Sequence, residues 1–535
     1  MISEKIISKS YKIVRVNLFS MIVFLMFSLN VSKVNAEEVT YLTWSGGKTS
    51  VLETDNTYII DTPEELAWFA SAVNSGNTFS GKKICITGNM DLNYKTWTPI
   101  GNGHTIAGDI EIKNCYIKGL TTNTELNGLF GGIYVNNLIV NNLNIQGTSI
   151  SLTNWAQHNA GMLAGGLALL DNAYVEISNS YFGGTIDIRH NFNDGSAGGV
   201  VGVISYFGTN AVMNLYNNTI EANVYGSEAV GGVIGHVSYV NGKLDLTQVF
   251  SKSTVVATNS YGYEETKAGG LIGVTSGGKI YICQSAVEGS VKSGGYAGYC
   301  GGVIGWAVFD LLQLKDSYVT ASLTSNFNGW SGTKYNAGGF FGYSYTNYNS
   351  NNVIQNCYFA GTTNSGCAFV AHDGNSGSAI AVKNCYFDTS VSGIPSNVMY
   401  TSGNSSSLMT SSLSGCAGYS TSDMKKESSY VNWNFDNMWY MDKDKYPMLC
   451  RKSITKDNCQ YSIKIVDALT NKPINAALVK LNDEEIYETV EDGSIKIGIE
   501  SFNDYKGKEI IISSAGYDDY KCYITDWSLY TQNVI

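Results

Sequence analysis

A six-residue pattern that returns at a nearly fixed spacing constrains this chain more than any other feature. Small-Gly-Gly-apolar-apolar-Gly begins at Ala197, Val230, Ala268, Cys300 and Ala337, and looser copies begin at Asn127 and Ala160. Their first glycines, at 128, 161, 198, 231, 269, 301 and 338, stand 32 to 38 residues apart. A period of that length belongs to stacked supersecondary units, each of which buries its apolar face only against its neighbours.

Between the glycine motifs lies a second element, a small polar residue followed by aromatic or β-branched ones. It reads Ser180-Tyr181-Phe182, Asn218-Thr219-Ile220, Ser285-Ala286-Val287, Ser317-Tyr318-Val319, Cys357-Tyr358-Phe359 and Cys385-Tyr386-Phe387. Alternating apolar positions with this composition predict strands, with no helical period between them. The chain has 58 glycines and only 15% charged residues, which fits a turn-rich all-β architecture. The expected fold is a parallel β-helix, a solenoid with an N-terminal helical cap and a small C-terminal antiparallel β-sandwich. The paired glycines are expected at corners, where they allow either a positive φ or close backbone approach. No helix follows them, so they are not phosphate loops.

The N-terminus reads as a signal peptide: Lys5, Lys9, Lys12 and Arg15, an apolar run from Leu18 to Leu29, then Val34-Asn35-Ala36, with cleavage after Ala36. Removing its five bases and one acid leaves 29 bases against 44 acids, a net charge of −15. Nucleic acid is not an expected partner of so acidic a chain. None of the five prolines follows a leucine, which excludes a Leu-Pro-x-Thr-Gly sorting signal, and no cysteine follows the apolar run. The expected location is secreted or at the cell surface, held non-covalently, without membrane insertion. A short amphipathic helix is predicted at Thr62-Pro63-Glu64-Glu65, with Thr62 as N-cap, Glu65 as capping-box partner and Leu66, Phe69, Ala70 and Val73 on one face.

The glycine motif, with Asn-Cys/Ser-Tyr before it, closely resembles the GLUG repeats of bacterial secreted and surface proteins, over residues 115 to 390. Trp97-Thr98-Pro99-Ile100-Gly101 looks like the lead-in of such proteins, and Met424-Lys425 through Trp433, Trp439 and Tyr446-Pro447 like their exit segment. Such repeats also occur beside the zinc domain of immunoglobulin A peptidases. That domain's His-Glu-x-x-His pattern is missing from the five histidines here. After Cys459, Lys472-Pro473-Ile474, Asp492-Gly493-Ser494 and Ala515-Gly516-Tyr517 resemble carboxypeptidase-regulatory-like, or transthyretin-like, modules. The resulting division is a signal peptide at 1–36, a lead-in and cap segment at 37–114, GLUG repeats at 115–395, an exit segment at 396–458 and the small module at 459–535.

Eleven cysteines remain after the signal is removed, an odd count that leaves at least one free thiol. Cys115, Cys357 and Cys385 share the slot that Ser180 and Ser317 fill in other repeats, so a small residue stacked inward is expected there. No Cys-x-x-Cys pair, metal site or cofactor is read. Asp187, Arg189, His190 and Asp194 form the densest polar cluster of the repeats, the residues that acid–base chemistry would need, but a solvated loop accounts for them. No catalytic residue is assigned, and the chain is not read as an enzyme. Binding is the expected activity, because 36 tyrosines crowd the sequence and Trp330, Tyr343, Tyr345 and Tyr348 flank one corner as candidate ligand contacts. The function expected is an exported adhesin or interaction scaffold for a host or matrix protein or glycan. The alternatives are a structural stalk without a ligand and a polysaccharide lyase or glycosidase; the oligomeric state is left open.

Overall fold

The computed structural model describes residues 40–450 apart from 153–157, 190–194, 260–264, 296, 328–335, 347–350, 365, 375–379, 400, 403–404, 409–412 and 436–437; beyond 450 it describes only parts of 460–534. Two columns of aliphatic side chains organise the interior. Ile110, Leu138, Val175, Met213, Leu244, Ile280 and Leu312 are in-register partners on successive parallel strands. Two residues along, Ile112, Val140, Ile177, Leu215, Leu246, Ile282, Leu314, Ile354 and Val382 form the second column. All are buried. Each such side chain contributes about 1.5–3 kcal/mol, and a slip of one residue would turn a whole column outward.

The sequence expectation of a parallel β-helix with glycines at free corners is corrected by the pairing. The glycine motifs are not bare corners between short strands. They build an eight-stranded, all-parallel sheet of their own, from Leu126–Asn127 through Ser196–Gly198 and Glu265–Gly269 to Gly366–Cys367. The remaining strands of this region, from Leu42–Thr43 to Ala417–Tyr419, join a separate 27-stranded sheet, apart from the small antiparallel pair Thr401–Ser402 and Ser405–Leu408. Some of them are long, 22 residues in Phe130–Ser151 and 18 in Ile234–Ser251. The architecture is therefore a small glycine-built parallel sheet set against a long wrapped one. The C-terminal expectation of a purely antiparallel sandwich is corrected too: Gln460–Ile465 pairs antiparallel with Ser494–Gly498 but parallel with Thr531–Val534. Leu478–Leu481, Glu485–Glu488, Glu509–Ser513 and Tyr520–Tyr523 form an antiparallel four-stranded sheet.

Close approach, and not positive φ, explains the glycines. No glycine of the motif has a positive φ. A methyl group at Gly232 would instead overlap the Gly270 carbonyl oxygen of the next turn, and one at Gly235 would meet Gly202 O at 2.5 Å and Ala197 N at 2.8 Å. The motif thus lets backbone lie on backbone, both between turns and across the two sheets. An eighth turn, Cys367-Ala368-Phe369-Val370-Ala371, follows the same path without glycine: Cys367 pairs with Gly338 and Val370 with Phe341. It ends the eight-stranded sheet, so no further strand of that sheet crowds Cys367 and Ala368.

Positive φ is concentrated at another point of each turn. Asn114, Asn142, Asn179, Asn217, Gln248, Gln284, Asp316, Asn356, Asn384 and Gly415 all lie between +47° and +65°. Asn and Asp tolerate this left-handed region because their short side chains bond locally. Here they also bond to one another: the Asn142 amide donates to Asn114 at 2.8 Å, Asn217 to Asn179 at 2.8 Å and Gln248 to Gln284 at 2.8 Å. The bend sends the next side chain inward. At that slot the hydroxyl oxygens of Ser180, Ser285 and Ser317 accept the amides of Leu143, Val249 and Ser285, all at 3.1 Å.

The helix Pro63–Asn74 begins with Thr62 as N-cap, Glu65 completing the capping box and Pro63 in the first turn. Its buried Leu66, Phe69, Ala70 and Val73 join the same core as the strands Lys83–Asp91 and Ile100–Ile106. Near the other end, residues 421–435 and 438–449 lie across the outside of the 27-stranded sheet. They cover an in-register column of Phe250, Ala286, Tyr318, Tyr358 and Tyr386 with Met424, Tyr430, Trp433 and Trp439. Polar contacts fix the strap: the Trp433 indole donates to Asn384 O at 3.1 Å, the Tyr358 hydroxyl to Pro447 O at 2.8 Å and the Tyr446 hydroxyl to Asp388 Oδ2 at 2.7 Å.

Two expected outcomes follow from this packing. Gly232→Ala should destabilise the protein by roughly 3 kcal/mol or more, because backbone must move. Gly166→Ala, whose methyl group meets its nearest neighbour at 3.5 Å, should change stability by no more than about 1 kcal/mol. Thermal and urea unfolding of the two variants check the contrast. Tyr446→Phe leaves an oxygen of the fully buried Asp388 without its donor, at a cost of about 1–3 kcal/mol. Limited proteolysis should then cut within 421–449 faster than in the unsubstituted protein.

Candidate functional site

The glycine motif also dictates where large side chains can gather. Its glycine positions accept no side chain, and the residue just after the last glycine and the residue two before the first one flank the seam between the sheets, buried where they are small and half-buried where they are large. After the motif, His236, Val274, Trp306, Tyr343 and His372 are in-register partners on successive strands. Before it, Ser196, Ala229, Lys267 and Tyr299 form the facing column. The second column changes from small Ser196 and Ala229 to Lys267 and Tyr299, and the later turns of the first carry the rings of Trp306, Tyr343 and His372.

The later turns bring four rings together. Trp306 and Tyr343 stack with centroids 3.8 Å apart and planes 20° apart. Tyr299 meets Trp306 edge-on at 4.9 Å and Tyr343 at 5.5 Å. His372 extends the stack, 4.8 Å from Tyr343. The Lys267 ammonium lies 5.8 Å from the Trp306 ring and pairs with Glu228 at 3.2 Å and Glu265 at 3.6 Å. Beside it, His236 Nε2 is within 3.2 Å of both Ser276 Oγ and Ser238 Oγ. Burial pushes Tyr299 up to about 12 and Tyr343 upward, so both phenols stay protonated.

Of the residues singled out from sequence, Tyr343 lies inside this cluster and Tyr345, 44% exposed, lies two residues further along the same strand. Trp330 and Tyr348 lie outside the described residues. Sequence reasoning missed Lys267, Tyr299, Trp306, His236 and His372. The signal was there: aligning the repeats on their glycines puts Trp306, Tyr343 and His236 at one position and Lys267 and Tyr299 at another.

The arrangement suits contact, with ring edges, a hydroxyl and a paired cation presented along one seam. It does not suit nucleophilic catalysis by Ser238 or Ser276, because both hydroxyls meet the same imidazole nitrogen and neither is set in a nucleophile–base–orienter chain. The other polar cluster is tied up in part: Arg189 holds Asp187 bidentately, Nε to Oδ1 at 2.9 Å and Nη2 to Oδ2 at 2.5 Å, and lies over the Tyr225 ring. His190 and Asp194 lie outside the described residues. Among the described residues no group of three or more His, Cys, Asp or Glu could hold a metal ion, and no helix is long and apolar enough to cross a membrane.

Burial, with a smaller push from Lys267, lowers the His236 pKa from 6.5 to about 4, and burial lowers that of His372 as well. The unfolded chain therefore takes up these protons first. The stability that depends on neutral His236 is full above about pH 6.5 and is lost as pH falls towards about 4. His236→Gln should flatten the fall of the thermal midpoint across that window, a change that calorimetry at stepped pH detects.

Comparison with known proteins adds little to this geometry. No protein-family profile matches the chain, and no curated protein matches it. Among solved structures, a similar chain is a proposed immunoglobulin A1 protease from Bacteroides ovatus, with a TM-score of 0.37 and 17% identity. The match covers 74% of this chain and 93% of that one.

Proposed function

We propose that this is an exported protein of the bacterial surface that binds a glycan or protein ligand through the aromatic seam at Tyr299, Trp306, Tyr343 and His372, as an adhesin or interaction scaffold and not as an enzyme. The observation that carries the reading is the convergence of four rings and a paired lysine on one outward seam, beside the exposed Tyr345. Aromatic clusters with polar rims are where binding energy concentrates. Trp306 and Tyr343 cover each other's faces, so a ligand would meet their edges and the exposed part of Tyr345. Export through the N-terminal signal, with cleavage after Ala36, and non-covalent retention belong to the same proposal.

A second reading, a structural stalk without a ligand, draws on the same stack: rings in register on successive strands also serve to cover the seam. Probing a glycan and host-matrix protein array with residues 37–535 separates the two. The binding reading expects a saturable ligand whose affinity falls about 10- to 100-fold in Trp306→Ala and Tyr345→Ala, with circular dichroism unchanged. Silence on the array, or binding that both variants retain in full, overturns it.

A further inference from the structure

Three cysteines stand one above another at the end of the inward-facing slot. Cys357, Cys385 and Cys416 each follow a left-handed residue, Asn356, Asn384 and Gly415. The residues on either side of them are in register across the three turns: Gln355 with Lys383, Lys383 with Ser414, Tyr358 with Tyr386 and Tyr386 with Ala417. Neighbouring parallel strands hold in-register Cα atoms about 4.8 Å apart, inside the roughly 4.4–6.8 Å that a disulfide spans. The thiols also share one orientation. Cys385 Sγ lies 3.3 Å from Lys383 O and 3.7 Å from Ile354 O, and Cys416 Sγ lies 3.5 Å from both Ser414 O and Val382 O.

Earlier turns fill this slot with serine at Ser180, Ser285 and Ser317 and otherwise with Cys115, a leucine, an asparagine or a valine, so packing there does not call for cysteine. Cysteine stands alone at Cys115 and on successive turns only at the end of the column, a succession that packing does not require. Accessibility separates the three: Cys357 and Cys385 are buried, while Cys416, on the last rung, is half-exposed. An oxidant outside the protein reaches Cys416 first.

We infer that Cys385 and Cys416 form a disulfide that pins the last turn of the parallel sheet, with a small disulfide such as oxidised glutathione, or a thiol–disulfide oxidase, as oxidant. The Cys416 thiol loses its proton and attacks one sulfur of the oxidant, forming a mixed disulfide and releasing one thiol. Cys385, deprotonated in turn, attacks Cys416 Sγ; the Cys385–Cys416 bond forms and the second thiol leaves. Two protein thiols are oxidised, the oxidant's disulfide is reduced to two thiols, and the two protons end on those leaving groups. The bridge closes the chain between residues 385 and 416 and so restrains the rung that has no further turn beyond it. Burial holds the Cys385 thiol protonated in the folded protein, and contact with Cys385, together with burial, does the same for Cys416, which makes the reaction slow once the last turn has docked. This inference is independent of what the aromatic seam binds.

The test is non-reducing peptide mapping by mass spectrometry of residues 37–535, incubated with oxidised glutathione after purification in the reduced form. The expected result is a cross-linked peptide pair joining Cys385 to Cys416, with each cysteine one hydrogen lighter and Cys357 still reduced. Cys385→Ser, which places in the slot the residue native at Ser285 and Ser317, should fold and leave Cys416 carrying glutathione. Cys416→Ser should leave Cys385 reduced. Cys416 found free or only glutathionylated in the unsubstituted protein, or a bridge joining any other pair, overturns the assignment.

Discussion

Backbone lying directly on backbone at the glycine motif is the contact on which the rest of the structure depends. Gly198, Gly231, Gly269, Gly301 and Gly338 each sit where a methyl group would overlap a carbonyl oxygen three residues on and crowd an amide nitrogen of the following turn. Removing the side chains brings the small sheet and the long one together, and it fixes the height of every turn. The aliphatic columns then interdigitate at constant register, and the left-handed Asn, Asp and Gln residues repeat the same bend at the same height. Close packing at one seam is thereby converted into order along the whole stack.

The same contact shapes the surface. Because the glycines are closed to side chains, the residues immediately beside them form two facing columns, and their size sets what the seam presents. In the early turns Leu126 folds over Gly132 and Gly166, and the seam is aliphatic. In the later turns Lys267, Tyr299, Trp306, Tyr343 and His372 make it aromatic and polar. The strap at 421–449 treats the opposite aromatic column differently, burying Tyr358 beneath Trp433, Trp439 and Tyr446. Of the two aromatic columns, one is thus sealed by the chain itself, and the seam beside the glycines keeps ring edges at the surface.

How much of this was legible in the sequence differs from element to element. The start of the helix at Pro63–Asn74 could be read to the residue, because Thr62, Pro63 and Glu65 each do a local job that needs no tertiary partner. The repeat period and the inward small-residue slot were legible for the same reason, since Cys357, Cys385, Ser180 and Ser317 occur in the same local context. The architecture was not. A glycine pair reads alike whether it needs a positive φ or a close neighbour, and only the pairing of distant turns shows that it builds a second sheet. Gln248 and Gln284 conceal their left-handed bends, because glutamine has no local preference for them and relies on its stacked partner. The eighth turn is hidden because Cys367 and Ala368 replace glycine where crowding ends. Apart from Tyr343, the seam residues were overlooked singly, although Trp306 and Tyr343 occupy one repeat position.

Hydrogen exchange at the motif amides tests most directly whether the glycines build a sheet or merely turn corners. Gly232 N–H bonds to Gly269 O at 3.1 Å, Val233 N–H to Leu271 O at 2.9 Å and Leu271 N–H to Val303 O at 3.0 Å, each reaching the next turn. If the glycine seam holds the stack together, these amides exchange only with global unfolding, as slowly as those of Leu246 and Ile282 in the aliphatic column. Exchange at the rate of an open loop, while the column amides stay protected, would contradict it.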